Sequence, residues 1–161
     1  AVCVLIEPPD RVVLTDSVRQ QSLSFGCNYA FDSSDPSSDR FATQEDVYNG
    51  LRVQIVEQAA KGYNCCLCAY GQTGTGKTHT IHGEWQSKEE RGLLPRIAEG
   101  LLDQLKEFKE AGAEVRMHVS YIEIYNNKLF DLLATAERGQ LRVPDEGPVK
   151  RRGGALPTPR A

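Results

Sequence analysis

The sequence predicts an α/β fold, strands and helices alternating around a phosphate-binding loop, and three observations predict it. Residues 71–78 read Gly-Gln-Thr-Gly-Thr-Gly-Lys-Thr, which fits the Gly-x-x-x-x-Gly-Lys-Thr pattern of such a loop. Residues 64–70 (NCCLCAY) form an uncharged run with no amphipathic period, as expected of a strand buried on both faces. Segments 44–61 and 94–108 repeat apolar residues at helical spacing, whereas 115–121 alternates apolar and polar. Strand, glycine loop and helix in that order place the chain in the P-loop NTPase fold class.

At the N-terminus, residues 2–6 and 12–14 predict two short strands around the turn Pro8-Pro9-Asp10. Residues 23–31 mix aromatic and apolar side chains and predict a further extended segment. Residues 32–40 (DSSDPSSDR) predict an exposed loop. The helix over 44–61 has Thr43 as N-cap, with Asp46 completing a weak capping box. Val47, Leu51, Ile55 and Ala59 form its apolar stripe, and Gly62 stands where a left-handed cap would end it. This helix reads as packing scaffold.

Beyond the glycine loop, Thr78 onward predicts a helix and 84–91 a charged loop. The helix over 94–108 tolerates Pro95 in its first turn and turns Ile97, Leu101, Leu102 and Leu105 inward. Residues 114–125 predict a long strand, and 128–133 a helical turn after it. Residues 144–161 carry four prolines and three glycines with no aromatic residue and no period, so they predict a disordered tail.

Bulk properties exclude several function classes. A net charge of −3 leaves no footprint for nucleic acid, and Lys150, Arg151 and Arg152 form the one short basic cluster. No apolar run reaches bilayer-spanning length, and no signal-peptide order opens the chain, so no membrane is expected and the default reading is intracellular. The five cysteines, Cys3, Cys27, Cys65, Cys66 and Cys68, do not suggest a disulfide framework. With His79, His82 and His118 they supply no zinc spacing, so Cys65, Cys66 and Cys68 are expected as small apolar side chains in a buried strand.

The loop itself carries direct chemistry. Gly71, Gly74 and Gly76 permit the turns that point successive backbone N–H groups at an anion. The helix that follows adds free N–H groups at its start. Lys77 can reach the β- and γ-phosphates, and the Thr78 hydroxyl can ligate Mg²⁺. Such a pattern arises by chance in roughly half a percent of chains of this length.

The longer string GYNCCLCAYGQTGTGKTHTIHG (62–83) resembles the kinesin motor domain, whose loop is typically Gly-Gln-Thr-x-x-Gly-Lys-Thr followed by His-Thr-Met. Residues 44–48 (QEDVY) with 55–58 (IVEQ) resemble the helix before the loop in that family. Residues 91–96 (RGLLPR) are similar to its Gly-Ile-Ile-Pro-Arg helix start, and 119–133 (VSYIEIYNNKLFDLL) to its Val-Ser-Tyr-x-Glu-Ile-Tyr-Asn-Glu segment. The resemblance covers about residues 12–143 and implies a central mixed sheet flanked by helices. It further implies ATP with Mg²⁺, tubulin or microtubules as partner, and a cytoplasmic, cytoskeletal location. Carried over by position, Gly71, Gln72, Thr73, Gly74, Thr75, Gly76, Lys77 and Thr78 would bind phosphate. Thr78 would hold the metal through the nucleotide. His79 would lie against the base, with Tyr63 on the same side.

Two departures shape the expectations. The family's opening strand ending in Arg-x-Arg-Pro has no match, nor do its switch motifs Asn-x-x-Ser-Ser-Arg-Ser-His and Asp-x-x-Gly-Ser-Glu. Phosphoryl transfer depends on positioning and charge stabilisation, so no catalytic residue is identified and a bare phosphate loop is expected to catalyse poorly. The expected organisation is residues 1–143 as the first half of an incomplete motor domain and 144–161 as the tail. The microtubule contacts of the family lie in the unmatched half, and residues 64–70 are expected to lack both their sheet neighbours. Two functions fit: the ATP-binding part of a microtubule motor, or a degenerate or truncated module that binds nucleotide or a partner without motor activity.

Overall fold

The computed structural model describes residues 2–134 and 139–141. The chain divides into two compact units, residues 1–115 and 116–161.

The first unit opens with an antiparallel meander of β1 (Val2–Glu7), β2 (Arg11–Asp16) and β3 (Gln21–Gly26). Val12 pairs with both Ile6 and Phe25, which sets the register of all three strands. The third strand falls earlier than the extended segment expected over 23–31, and residues after Gly26 lead away from the sheet. Cys27 N–H donates to Asp10 O at 2.8 Å, tying that exit to the β1–β2 turn. Tyr29 and Phe31 stack at 6.0 Å, and a Cβ on Gly50 would stand 2.8 Å from the Phe31 ring. The exit thus packs on the first helix through the one position without a side chain.

That helix, α1 (Gln44–Arg52), runs on through a π-helical turn at Val53–Glu57 into α2 (Gln58–Ala60). The capping box is formed: Asp46 N–H donates to Thr43 Oγ1 at 3.2 Å, and Thr43 N–H donates to Asp46 Oδ2 at 2.9 Å. A π turn adds a residue to the helical repeat, so the inward face shifts by one position. Val56 becomes the buried residue at 2% exposure, while the expected stripe of Val47, Leu51, Ile55 and Ala59 is only half-buried. Val56 meets the second long helix at Gly100, where a Cβ would stand 3.3 Å from both Val56 methyls.

The Asp46 carboxyl is held below the ordinary carboxylate range by the Thr43 hydroxyl first and the Thr43 N–H second. A lowered folded-state value contributes stability above the unfolded value and loses it as pH falls through the folded one. Asp46→Asn is therefore expected to flatten the acid limb of the stability curve below about pH 4. Thr43→Ala should cost about 1 kcal/mol at neutral pH. Circular dichroism during denaturant titration at several pH values measures both, and an acid limb unchanged by Asp46→Asn would refute the box's contribution.

After the phosphate loop comes α3 (Lys77–Ile81), beginning one residue earlier than expected, and then α4 (Leu93–Glu110). Leu93 and Pro95 are buried, Ile97, Leu101 and Leu105 half-buried, and Leu102 is exposed. Leu102 therefore does not belong to the inward face assigned from its spacing.

Residues 64–70 have no ladder partner among the described residues and are exposed throughout. The expectation that Cys65, Cys66 and Cys68 are buried is overturned: all five cysteines are exposed thiols. Burial of a sheet strand depends on its neighbours as much as on its own apolarity. Residues 114–121 likewise join no ladder, so the long strand expected over 114–125 is reduced to its last four residues. The central mixed sheet implied by the resemblance is accordingly not laddered among the described residues, whose sheets are two three-stranded antiparallel meanders.

The second unit's meander is β4 (Ile122–Tyr125), β5 (Lys128–Asp131) and β6 (Gly139–Leu141). The helical turn expected over 128–133 is a strand instead. Asn126 and Asn127 take φ of 50° and 59°, the two left-handed positions of a tight hairpin turn, and Ile124 pairs with Leu129 across it. The tail expected over 144–161 lies outside the described residues. Among the described residues, no helix is long and apolar enough to cross a membrane.

Candidate functional site

The phosphate loop takes the shape its glycines permit. Gly71, Gly74 and Gly76 have φ of 149°, 86° and 87°, and left-handed Gly76 is the N-cap of α3. Nothing lies within 4 Å of where a Cβ on Gly74 or Gly76 would stand, so both backbones face open space that an anion could enter. The loop is closed on itself at its other end. Thr75 Oγ1 donates to Gln72 O at 2.9 Å, and a Cβ on Gly71 would stand 2.6 Å from that same hydroxyl.

Lys77 lies across the loop, its ammonium donating to Gly71 O and Gln72 O at 2.7 Å each. An ammonium has three donors, so one remains for a phosphate oxygen. The charge is therefore held at the mouth of the glycine turn by two backbone carbonyls. Thr78 is the second residue of α3, with its own carbonyl accepting from the N–H groups of His82 and Gly83 at 2.8 and 3.2 Å. A helix of five residues offers free N–H groups at its start but little accumulated dipole. Gln72 and Thr73 are exposed in the turn.

His79 projects from α3 into a recess of about 460 Å³ beside the loop, shared with Thr75, Gly76, Thr80 and Gln44. Gln44 is the buried polar residue here, at 8% exposure, in the first turn of α1. Its amide donates to His79 O at 2.8 Å and sits 2.9 Å from Nδ1 of the same residue. Glu90 Oε2 lies 3.7 Å from His79 Nε2 on the recess's far side.

Glu90 is placed by the loop 84–91, whose stem is a short bridge between Gly83 and Arg91. Arg96 on α4 holds that loop from below, donating to Arg91 O, Lys88 O and Glu89 O at 3.0–3.1 Å. Arg91 in turn pairs with Glu99 at 2.7 Å. The RGLLPR segment thus ties the loop to the helix that follows it.

The structure therefore brings together the glycine turn, Lys77, Thr78 and His79. It does not bring Tyr63 to them: Tyr63 is exposed and lines a separate recess of about 400 Å³ with Leu51, Gln54 and Cys65. Sequence reasoning missed Gln44 and Glu90. The signal for Gln44 was available, a polar residue one turn before Tyr48 on the inward side of an amphipathic helix. Glu90, in a charged loop, carried none.

Comparison with known proteins follows the same residues. The family model described as the kinesin motor domain matches residues 8–150, extending seven positions past the boundary expected at 143. Kinesin-like protein Klp98A of Drosophila melanogaster is 43% identical over 131 residues, covering 81% of this chain and 10% of that protein. Among solved structures, KIF14 as a two-heads-bound dimer with AMP-PNP on a microtubule superposes with a TM-score of 0.73 at 35% identity. That superposition covers 93% of this chain and 41% of KIF14's. The Drosophila family member Kin10/NOD, in complex with divalent manganese and ADP, gives a TM-score of 0.60 at 27% identity over 83% of this chain and 44% of its own. The chain thus spans about a tenth of this curated relative and about two fifths of the solved chains.

Proposed function

The chain belongs to the kinesin motor domain family, and from that premise we propose that it is the ATP-binding part of a motor that couples ATP hydrolysis to movement along microtubules. The observation that carries the nucleotide step is the glycine turn with Lys77 held across its mouth. Gly71 to Gly76 cradle the β- and γ-phosphates with backbone N–H groups, and Lys77 supplies the charge.

When bound with the nucleotide, Mg²⁺ would supply charge neutralisation at the phosphates. Among the described residues, no cluster of three or more His, Cys, Asp or Glu could hold a metal by itself. Thr78, the second residue of α3, is the side chain that would hold the ion, through the nucleotide. His79 lies against the base, and Tyr63, in its separate recess, takes no part in this reading. KIF14 on its microtubule and NOD with manganese and ADP support the same assignment of partner, nucleotide and divalent ion. The site of action is the microtubule cytoskeleton of the cytoplasm.

A second reading for the residues in hand is nucleotide or partner binding without hydrolysis, since the groups brought together at the loop are ones that bind phosphate and base. One experiment separates the two. Fluorescent ATP is titrated with Mg²⁺ and with EDTA, and phosphate release is then followed with and without microtubules. Magnesium-dependent binding is expected, and microtubule-stimulated release would exclude the second reading outright. Binding without release would leave the second reading standing, and no binding at all would overturn the nucleotide step of both.

A further inference from the structure

Gln44 touches His79 in an unusual way. Its amide nitrogen lies 2.9 Å from Nδ1 and 3.4 Å from Nε2 of the ring. An in-line hydrogen bond to either nitrogen would leave the other much farther away, so the amide sits over the face of the imidazole. The same nitrogen donates to His79 O at 2.8 Å, which fixes the orientation of the amide, because a carbonyl can only accept. One N–H is thus spent on the backbone, and the other is directed at the ring face.

The imidazole is therefore backed on one face by Gln44 and approached at Nε2 by Glu90, 3.7 Å away. Its side chain is still 60% exposed. Gln44 is itself held in the first turn of α1 by the Thr43–Asp46 capping box. Helix α1 thereby acts on the phosphate-loop helix through one buried amide. We propose that Gln44 is a positioning residue for base recognition: it backs the His79 ring so that the opposite face is presented to the purine of a bound nucleotide. Flat rings stack on aromatic side chains, histidine included, and stacking gains most when the side chain is already held in place. This inference rests on the nucleotide-binding reading above.

The test compares ATP with inorganic tripolyphosphate, which has the phosphates and no base, on the full chain. Gln44→Met keeps the length of the side chain and removes its donor. It is expected to weaken ATP binding about three- to tenfold while leaving tripolyphosphate unchanged. Leu105→Ala, on the half-buried face of α4 and away from Gln44 and His79, should lower stability while leaving the ATP-to-tripolyphosphate ratio as in wild type. A proportionate loss of both ligands in Gln44→Met, or no loss of either, overturns the positioning role and leaves nucleotide binding intact. A wild-type chain that binds neither ligand overturns the nucleotide reading and this inference with it.

Discussion

Lys77→Ala is expected to weaken ATP binding by about ten- to a hundredfold, since a hydrogen bond to a charged group contributes roughly 1.5–3 kcal/mol. The prediction needs care because Lys77 has two roles. It ties the loop together through Gly71 O and Gln72 O, and it offers its charge to the phosphates. The first role is cheap to lose: Gln72 is exposed, so water replaces the donor, and Thr75 Oγ1 still bonds the same carbonyl. The second is not replaceable by water, so the loss should appear in affinity and hardly in stability. The salt dependence of binding should fall with it, because one phosphate-facing charge is gone. Fluorescent-nucleotide titration at two ionic strengths, with circular dichroism as the folding control, measures both. Equal affinities in wild type and variant would exclude Lys77 from the phosphate site.

The sequence was most legible where one local rule decides the structure. Thr43 with Asp46 caps α1 whatever else the chain does, and the glycines of 71–76 leave the loop little alternative. It was least legible where the outcome depends on partners elsewhere. Residues 64–70 have the composition of a buried strand, yet their three cysteines are exposed because no described strand pairs with them. The hairpin at 122–131 differs for another reason: Asn126-Asn127 is a turn signal in its own right, and it returns the chain as a strand where a helical turn is expected over 128–133. The candidate site divides along the same line. Its phosphate-binding half is a continuous motif. The Gln44 and Glu90 contacts to His79 join residues 35 and 11 positions apart from it, and only the fold could show them.

The second large effect concerns the loop that delivers Glu90. Gly83→Ala is expected to destabilise the first unit by about 3 kcal/mol, a sizeable share of the 5–15 kcal/mol that typically holds a domain. Gly83 has φ of 60° and lies opposite Arg91 in the stem of the 84–91 loop. A Cβ there would run into Glu90 O and Gly92 N and stand 2.8 Å from Arg91 C, all of them backbone atoms that no rotamer change can move aside. Those atoms are tied in turn, Glu84 N–H donating to Glu90 O at 2.8 Å and Gly92 N–H to His82 O at 3.0 Å. Gly92 has no room to retreat, because a Cβ on it would stand 2.6 Å from Ile81 O, and Leu93 beside it is buried. Relief therefore requires the stem to open, which moves Glu90 away from His79. Gly74→Ala supplies the comparison: φ is similarly left-handed at 86°, but nothing lies within 4 Å of its Cβ. It should cost only the conformational term, about 1 kcal/mol. Denaturant unfolding of both variants isolates the steric part as their difference, about 2 kcal/mol. If the two alanines shift stability equally, the stem yields without cost and the loop does not fix Glu90 in place.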